Sequence, residues 1–178
     1  MKFTLSWLKT HLDTDAGVEE IAAALTDLGL EVEGIENPAD TLGAFRICRV
    51  IEATQHPNAD RLRLCRVEAW LNGPDKPSEE VQVVCGAPNA RAGMTAIYAP
   101  LGAFIPGLDF ALDKKPRAIR GVESQGMMCS TKELNAGEDH DGIADLDVSI
   151  PLGTAAAEAL GLNDPVIDFE VTPNRPDW

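Results

Sequence analysis

His56-Pro57-Asn58-Ala59-Asp60-Arg61-Leu62-Arg63-Leu64-Cys65-Arg66-Val67 is the stretch from which the rest of the chain can be read. Its first half is turn chemistry: Pro57 presets φ, and Asn58 and Asp60 can bond nearby backbone groups. Its second half alternates, with Arg61 and Arg63 on one side and Leu62 and Leu64 on the other. A strand with that pattern turns its leucines into a core and lays guanidinium groups along the opposite face. Guanidiniums in a row suit phosphate oxygens, which they meet with paired, charge-assisted hydrogen bonds. An ordinary solvated strand face carries the same residues, and this stretch alone leaves both readings open.

The segments on either side are also extended. Phe45 to Ile51 precedes the turn as a partner strand, and Arg61 to Ala69 follows it. Asn72-Gly73-Pro74-Asp75-Lys76-Pro77 reads as an exposed loop. Val81 to Cys85 is a buried strand broken by Gly86-Ala87-Pro88-Asn89, and Met94 to Ala99 is another, followed by a Gly- and Pro-rich stretch. Short strands at this spacing predict a small barrel. Ser130-Thr131-Lys132-Glu133 has the form of a capping box and predicts a short helix. Ile143 to Leu146 would supply the last strand.

The chain ends differ in character. Residues 2–5 read as a strand, after which Ser6 is placed to cap a short helix through Trp7, Leu8 and Leu12. Val18, Ile21, Ala22, Leu25 and Leu28 share one helical face, with Gly29 as the stop. Leu30, Val32 and Ile35 form a strand ending at Asn37-Pro38. Beyond Pro151 come an alanine-rich helix, Thr154 to Leu160, ended by Gly161, and an alternating strand, Val166 to Val171. Neither flank is long enough to close a core. The two are expected to pack together as a discontinuous α/β domain of residues 1–39 and 151–178, with 40–150 inserted between them.

Composition narrows the function classes. With 178 residues, 44% of them hydrophobic, the chain has material for one ordinary domain or two small ones. No apolar run approaches the ~18 residues of a membrane span, and Met1 to Trp7 lacks the pattern of a signal peptide. Cys48, Cys65, Cys85 and Cys129 form no Cys-x-x-Cys pair, which argues against a zinc site and equally against a disulfide framework. Reduced thiols in a cytosolic protein are expected. A net charge of −14 excludes a uniformly basic nucleic-acid binder. The charge is uneven, however: 46–66 carries five arginines against Glu52 and Asp60, and 114–120 carries Lys114, Lys115, Arg117 and Arg120 with no acid.

Other chemistry is poorly represented. Asp139, Asp141 and Asp145 around His140 lack the spacing of a calcium loop and read as a solvated acidic loop. There is no Gly-rich phosphate loop with its lysine, and Glu123-Ser124-Gln125-Gly126 lacks the first glycine of a nucleophile elbow. His56, beside Pro57, reads as a turn residue.

Three longer motifs carry a resemblance. His56-Pro57-Asn58-Ala59-Asp60-Arg61-Leu62, Val84-Cys85-Gly86-Ala87-Pro88-Asn89 and Arg120-Gly121-Val122-Glu123-Ser124-Gln125-Gly126-Met127 resemble the tRNA-binding OB-fold domain of aminoacyl-tRNA synthetases and free-standing tRNA-binding proteins. Leu5 to Lys9, Leu25 to Glu33, Glu138 to Ile143 and the terminal Thr172-Pro173-Asn174-Arg175-Pro176-Asp177 look like the start of the bacterial phenylalanyl-tRNA synthetase β subunit. The resemblance covers nearly the whole chain in order. It implies an α+β architecture: a five-stranded OB-fold β-barrel inserted in a small discontinuous α/β domain built from the two chain ends. It also implies a fragment, non-catalytic in itself, of an α2β2 heterotetramer whose α subunit joins phenylalanine to tRNA with ATP and Mg²⁺. No cofactor and no metal are expected in this chain, and its partners are expected to be tRNA and the catalytic subunit.

By the same resemblance, tRNA would meet Arg61, Arg63, Asn89, Arg91, Arg120, Ser124 and Ser130, with arginines on phosphates and Asn or Ser on sugar and base edges. Pro57, Gly86, Pro88, Gly121 and Gly126 would set turns. Stacking platforms need exposed aromatics, and the central segment offers only Phe45, Trp70, Tyr98, Phe104 and Phe110, some of which must serve the core. Binding is therefore expected to be weak, electrostatic and salt-dependent. Two alternatives stand beside this reading: a free-standing tRNA-binding or chaperone-like protein, and a scaffold for subunit assembly.

Overall fold

The computed structural model describes residues 1–72 and 75–173. Gly73 and Pro74 of the expected loop, and Asn174 to Trp178 of the terminal motif, lie outside the described residues. In chain order the elements are β1 (Lys2–Thr4), α1 (Leu5–His11), α2 (Val18–Asp27), β2 (Leu30–Glu36), α3 (Pro38–Thr41), β3 (Arg46–His56), β4 (Ala59–Ala69), β5 (Glu79–Cys85) and β6 (Thr95–Ala99). They continue as β7 (Phe104–Ile105), β8 (Phe110–Ala111), β9 (Arg117–Ile119), β10 (Val122–Ser124), β11 (Met127–Met128), α4 (Ala156–Ala159) and β12 (Val166–Val171). The chain divides into two compact units, one of Met1–Asp40 with the residues from Gly161 onward, the other of Thr41–Leu160.

The first unit is a three-stranded antiparallel sheet in the order β1-β12-β2, with the two longer helices following β1. The apolar spacing of α2 places Ile21 inside, and Gly29 at φ 90° turns the chain out of the helix into β2. Phe3 and Phe169 meet edge to face with centroids 5.5 Å apart. The helix-capping expectation is corrected here. Thr4, not Ser6, accepts the Trp7 N–H at 3.2 Å, because Ser6 is held by Asp164 through both its backbone N–H and its hydroxyl.

The second unit is built on a five-stranded antiparallel sheet in the order β11-β6-β3-β4-β5. Its core side carries Cys48, Val50, Cys65, Val67, Ala69, Val81 and Val83, with Met94 and Tyr98. Each large aliphatic side chain buried in this way contributes roughly 1.5–3 kcal/mol. Ile47 and Ile97, paired in register, are fully buried as well, so β6 is covered on both faces and buried along its whole length.

Four local expectations change. The leucines do not face the core: Cys65, Val67 and Ala69 are the buried residues of β4, whereas Leu62 and Leu64 are only half-buried. By parity Arg63 shares the face of Cys65. Arg63, Leu64 and Cys65 pair in continuous register with Gln55, Thr54 and Ala53, so Leu64 turns to the outer face. Beyond them the register shifts to His56 with Ala59, leaving Asp60, Arg61 and Leu62 without partners on β3. The Gln55 amide fills the gap by donating to the carbonyls of Ala59 and Leu62.

The second change concerns residues 130–135. Ser130 and Glu133 make both bonds of a capping box, Ser130 N–H to Glu133 Oε2 at 2.6 Å and Glu133 N–H to Ser130 Oγ at 3.3 Å, yet only turns follow. Asn135 at φ 53° leaves helical geometry at once. Third, Ile143 to Leu146 is no strand: Leu146 makes only an isolated bridge to Thr95. Fourth, strand pairing does not close the sheet into a barrel. The ladder ends at β5 and β11, and Gly126 at φ 123° bends the chain between β10 and β11.

Candidate nucleic-acid interface

The turn of the opening stretch is where expectation and structure meet. β3 and β4 form a hairpin through Pro57-Asn58, and this turn grips a second hairpin, β9–β10. His56, only 2% exposed, accepts the Asn58 N–H at Nδ1 and lies 3.1 Å from the Ile119 carbonyl at Nε2. A carbonyl can only accept, so the imidazole is neutral with its proton on Nε2. Asn58 Nδ2 donates to the Arg120 carbonyl at 2.9 Å. His56 is thus a structural clasp, and nothing reactive faces it.

The gripped hairpin turns at Arg120-Gly121, with φ of 51° and 85°. Two successive left-handed residues between paired strands make the mirror-image turn that suits strand twist. Gly121 adopts it freely, whereas a side chain as large as arginine does so at a cost of order 1 kcal/mol or more. The Asn58 bond helps hold Arg120 there, with its side chain exposed at the tip.

The seven residues expected at the interface separate into two groups. Ser124 is buried, with its Oγ accepting the Val84 N–H at 3.0 Å and donating to the Gly126 carbonyl at 3.1 Å. Ser130 is buried in its capping box. Asn89 uses its amide as a backbone substitute, donating to Ile143 O at 2.8 Å and accepting from Ile143 N at 3.0 Å. Arg91 is exposed but ion-paired with Asp145 at 2.7 Å. Arg61, Arg63 and Arg120 make no side-chain hydrogen bond or ion pair among the described residues, and they remain available to an anion. Arg66, by contrast, is shared between Glu52 and Glu80 on the outer strand face.

A groove of about 860 Å³ opens beside this region. The end of β5, the β7–β8 hairpin, residues 113–119 and the loop 130–143 line it. Phe110, Lys115 and Arg117 stand in its wall, residues visible in the sequence as an aromatic and part of a basic stretch but not expected at the interface. The signal lay in the alternation Lys115-x-Arg117-x-Ile119, whose three members all face the groove.

The four thiols are buried and unreactive. Burial pushes the Cys48 and Cys65 thiols up to about 12 and raises those of Cys85 and Cys129 as well. Among the described residues no three His, Cys, Asp or Glu side chains gather to hold a metal ion. In the acidic loop, Asp139 accepts the Asp141 N–H and Asp145 is taken by Arg91. No helix among the described residues is long and apolar enough to cross a membrane.

Known proteins resemble this chain strongly. The phenylalanine–tRNA ligase beta subunit of Cereibacter sphaeroides is 63% identical over 177 residues, covering 99% of this chain and 22% of that protein. The subunit of the same name from Gluconobacter oxydans is 53% identical, covering 99% and 21%. The chain thus spans about a fifth of the length of these curated relatives. A crystal structure of a MetRS-related protein from Pyrococcus horikoshii overlays with a TM-score of 0.40 at 21% identity, covering 61% of this chain and 84% of that one. A family model described as a putative tRNA binding domain matches residues 45–155, more than half of the chain and nearly all of the second unit, so the chain belongs to the tRNA-binding-domain family.

Proposed function

We propose that this chain is the tRNA-binding and structural region of the beta subunit of a phenylalanine–tRNA ligase, acting in the cytoplasm. The observation that carries the reading is the 63% identity to such a subunit along nearly the whole chain. The parent enzyme joins phenylalanine to its tRNA with ATP and Mg²⁺, in a heterotetramer whose alpha subunit holds the catalytic centre. The polar motif residues Asn89, Ser124 and Ser130, engaged within the fold, and the buried thiols fit a binding and structural role for this part.

The second unit is read as an OB-type barrel, inserted at about residues 40–150 into a domain formed by 1–39 and 151–178. Four hydrogen bonds support closure without a strand ladder. Gln125 N–H donates to Gln82 O, Gln82 N–H to Gln125 Oε1, Gln82 Nε2 to Glu123 O, and Val84 N–H to Ser124 Oγ. Such a sheet binds nucleic acid on one face and its rim loops. Arg61, Arg63 and Arg120 are the residues of this site that contact phosphate. Arg91 joins them only if tRNA displaces Asp145, while Asn89, Ser124 and Ser130 shape the rim.

A titration of the chain with tRNA at low salt tests this reading. Weak binding is expected, with Arg61→Ala and Arg63→Ala each lowering affinity and reducing the salt slope by about 0.7–0.9 for each phosphate no longer neutralised. No binding, or variants that behave as the parent does, would overturn it. Deleting 40–150 from the full enzyme distinguishes a scaffold. Lost assembly with unchanged tRNA affinity would assign these residues to assembly instead.

A further inference from the structure

We infer that the groove between the β7–β8 hairpin and residues 113–119 takes a short unpaired stretch of RNA, with bases against Phe110 and phosphates on Lys115 and Arg117. This deepens the tRNA-binding reading and rests on it. It names the part of the ligand that is recognised, unpaired nucleotides, and three residues that carry the contact.

Of the five aromatics of the central segment, three serve the fold and two are left on the surface. Phe45 and Tyr98 are buried in the core, and Trp70 packs beneath Gly153. Phe104 and Phe110 are left 49% and 42% exposed on one hairpin, with Leu108 between them at 49%. Phe110 and Leu108 line the groove. A patch of this kind has a use when an apolar partner covers it.

The facing wall is cationic. Arg117 and Ile119 come from β9 and Lys115 from the bend before it, and all three line the groove. Lys115 and Arg117 are exposed and make no ion pair among the described residues. Lys132 joins them from the 130–143 loop.

This wall is also held in place. Arg117 stands opposite Ser124 in the β9–β10 register, Ser124 is bonded to β5, and His56 and Asn58 hold the far end of the hairpin. Pre-organised cations lose less on binding than mobile ones.

An exposed aromatic sharing a groove with Lys115 and with Arg117 on a held strand matches a nucleotide whose base is free to stack. A duplex offers phosphates but keeps its base faces covered. The carboxylates of the lining limit the affinity: Glu133 is occupied by Ser130 N–H, but Asp113 and Asp141 remain in the wall. Two or three phosphates are accommodated, not a long tract.

Fluorescence anisotropy on the 178-residue chain tests the assignment with three probes at low salt. These are an unstructured oligoribonucleotide of roughly eight residues, a fully paired duplex of the same sequence, and tRNA. The single strand is expected to bind about tenfold more tightly than the duplex. Phe110→Ala and Arg117→Ala should each weaken single-strand binding about tenfold, and Phe110→Trp should retain it. Thermal melts of Arg117→Ala should be unchanged, because its side chain is exposed, and Phe110→Trp controls for the packing of the half-buried ring.

Equal binding of single strand and duplex, or groove variants indistinguishable from the parent, overturns the inference. If tRNA still binds in that case through Arg61 and Arg63, the tRNA-binding reading survives. If the parent binds none of the three probes, both fall.

Discussion

The rim formed by residues 84–91 and 124–145 and the arm formed by 113–121 with the 56–63 turn draw on the same motifs but use polar residues in opposite ways. In the rim, Asn89, Ser124 and Ser130 have their hydrogen-bonding capacity engaged within the fold, and Arg91 is paired with Asp145. In the arm, the side chains of Arg61, Arg63, Arg117 and Arg120 make no hydrogen bond or ion pair among the described residues, while His56 and Asn58 do the holding. The difference separates two reasons for a motif. Rim residues determine where the backbone goes, and arm residues present charge from a backbone that others have positioned.

Substitutions should therefore move stability in the rim and binding in the arm. The largest effect is expected at Gly126. A Cβ there would sit 2.6 Å from Ala99 O and 2.7 Å from the Tyr98 ring, on a backbone at φ 123° that side chains rarely adopt. Gly126→Ala should cost about 3 kcal/mol or more, read as a fall in the denaturation midpoint. A variant as stable as the parent would remove the rim from the comparison. Asn89→Ala comes next. It leaves the Ile143 N–H and carbonyl without partners and should cost about 2–3 kcal/mol in chemical denaturation. RNA binding of the folded fraction should be unchanged, and a loss of affinity without a loss of stability would move Asn89 to the arm's side. Arg91→Ala is expected to be smallest. Its ion pair with Asp145 is about half exposed, and such pairs contribute about 0–1 kcal/mol. An effect beyond that range would show the pair to be a structural tie.

Much of this was legible in the residues. The hairpin at Pro57-Asn58, the helix stopped by Gly29, the strands Leu30–Glu36 and Val166–Val171, and the buried runs at Val81 and Thr95 follow from turn chemistry and apolar spacing. The failures have physical causes as well. Leu62 and Leu64 fall on the face opposite Cys65 and Val67, and a four-residue alternation does not tell which of its faces meets the core. A register shift at Gln55 then leaves Asp60 to Leu62 unpaired. The capping box at Ser130 formed, but a cap removes one obstacle to a helix without extending it, and Asn135 turned the chain away.

The candidate site was legible by residue type and less so by role. Arg61, Arg63 and Arg120 stand exposed or half-buried without ion pairs. Lys115 and Arg117 were visible as a basic stretch and Phe110 as an aromatic, but not as one site, because sequence cannot distinguish an aromatic of the core from one left on the surface beside them. Tyr98 and Phe110 are alike in type, yet one is 2% exposed and the other 42%.

By itself the sequence determined what acts over a few residues: turns, caps, the apolar faces of single elements, and the two basic stretches on an acidic chain. These are local because backbone dihedrals, capping bonds and strand parity involve near neighbours. Only the tertiary structure decided which polar residues are engaged and which are free. The partners of Ser124, Asn89 and His56 lie 40, 54 and 63 positions away, and a hydrogen bond between groups so far apart in the chain exists only once the fold has brought them together.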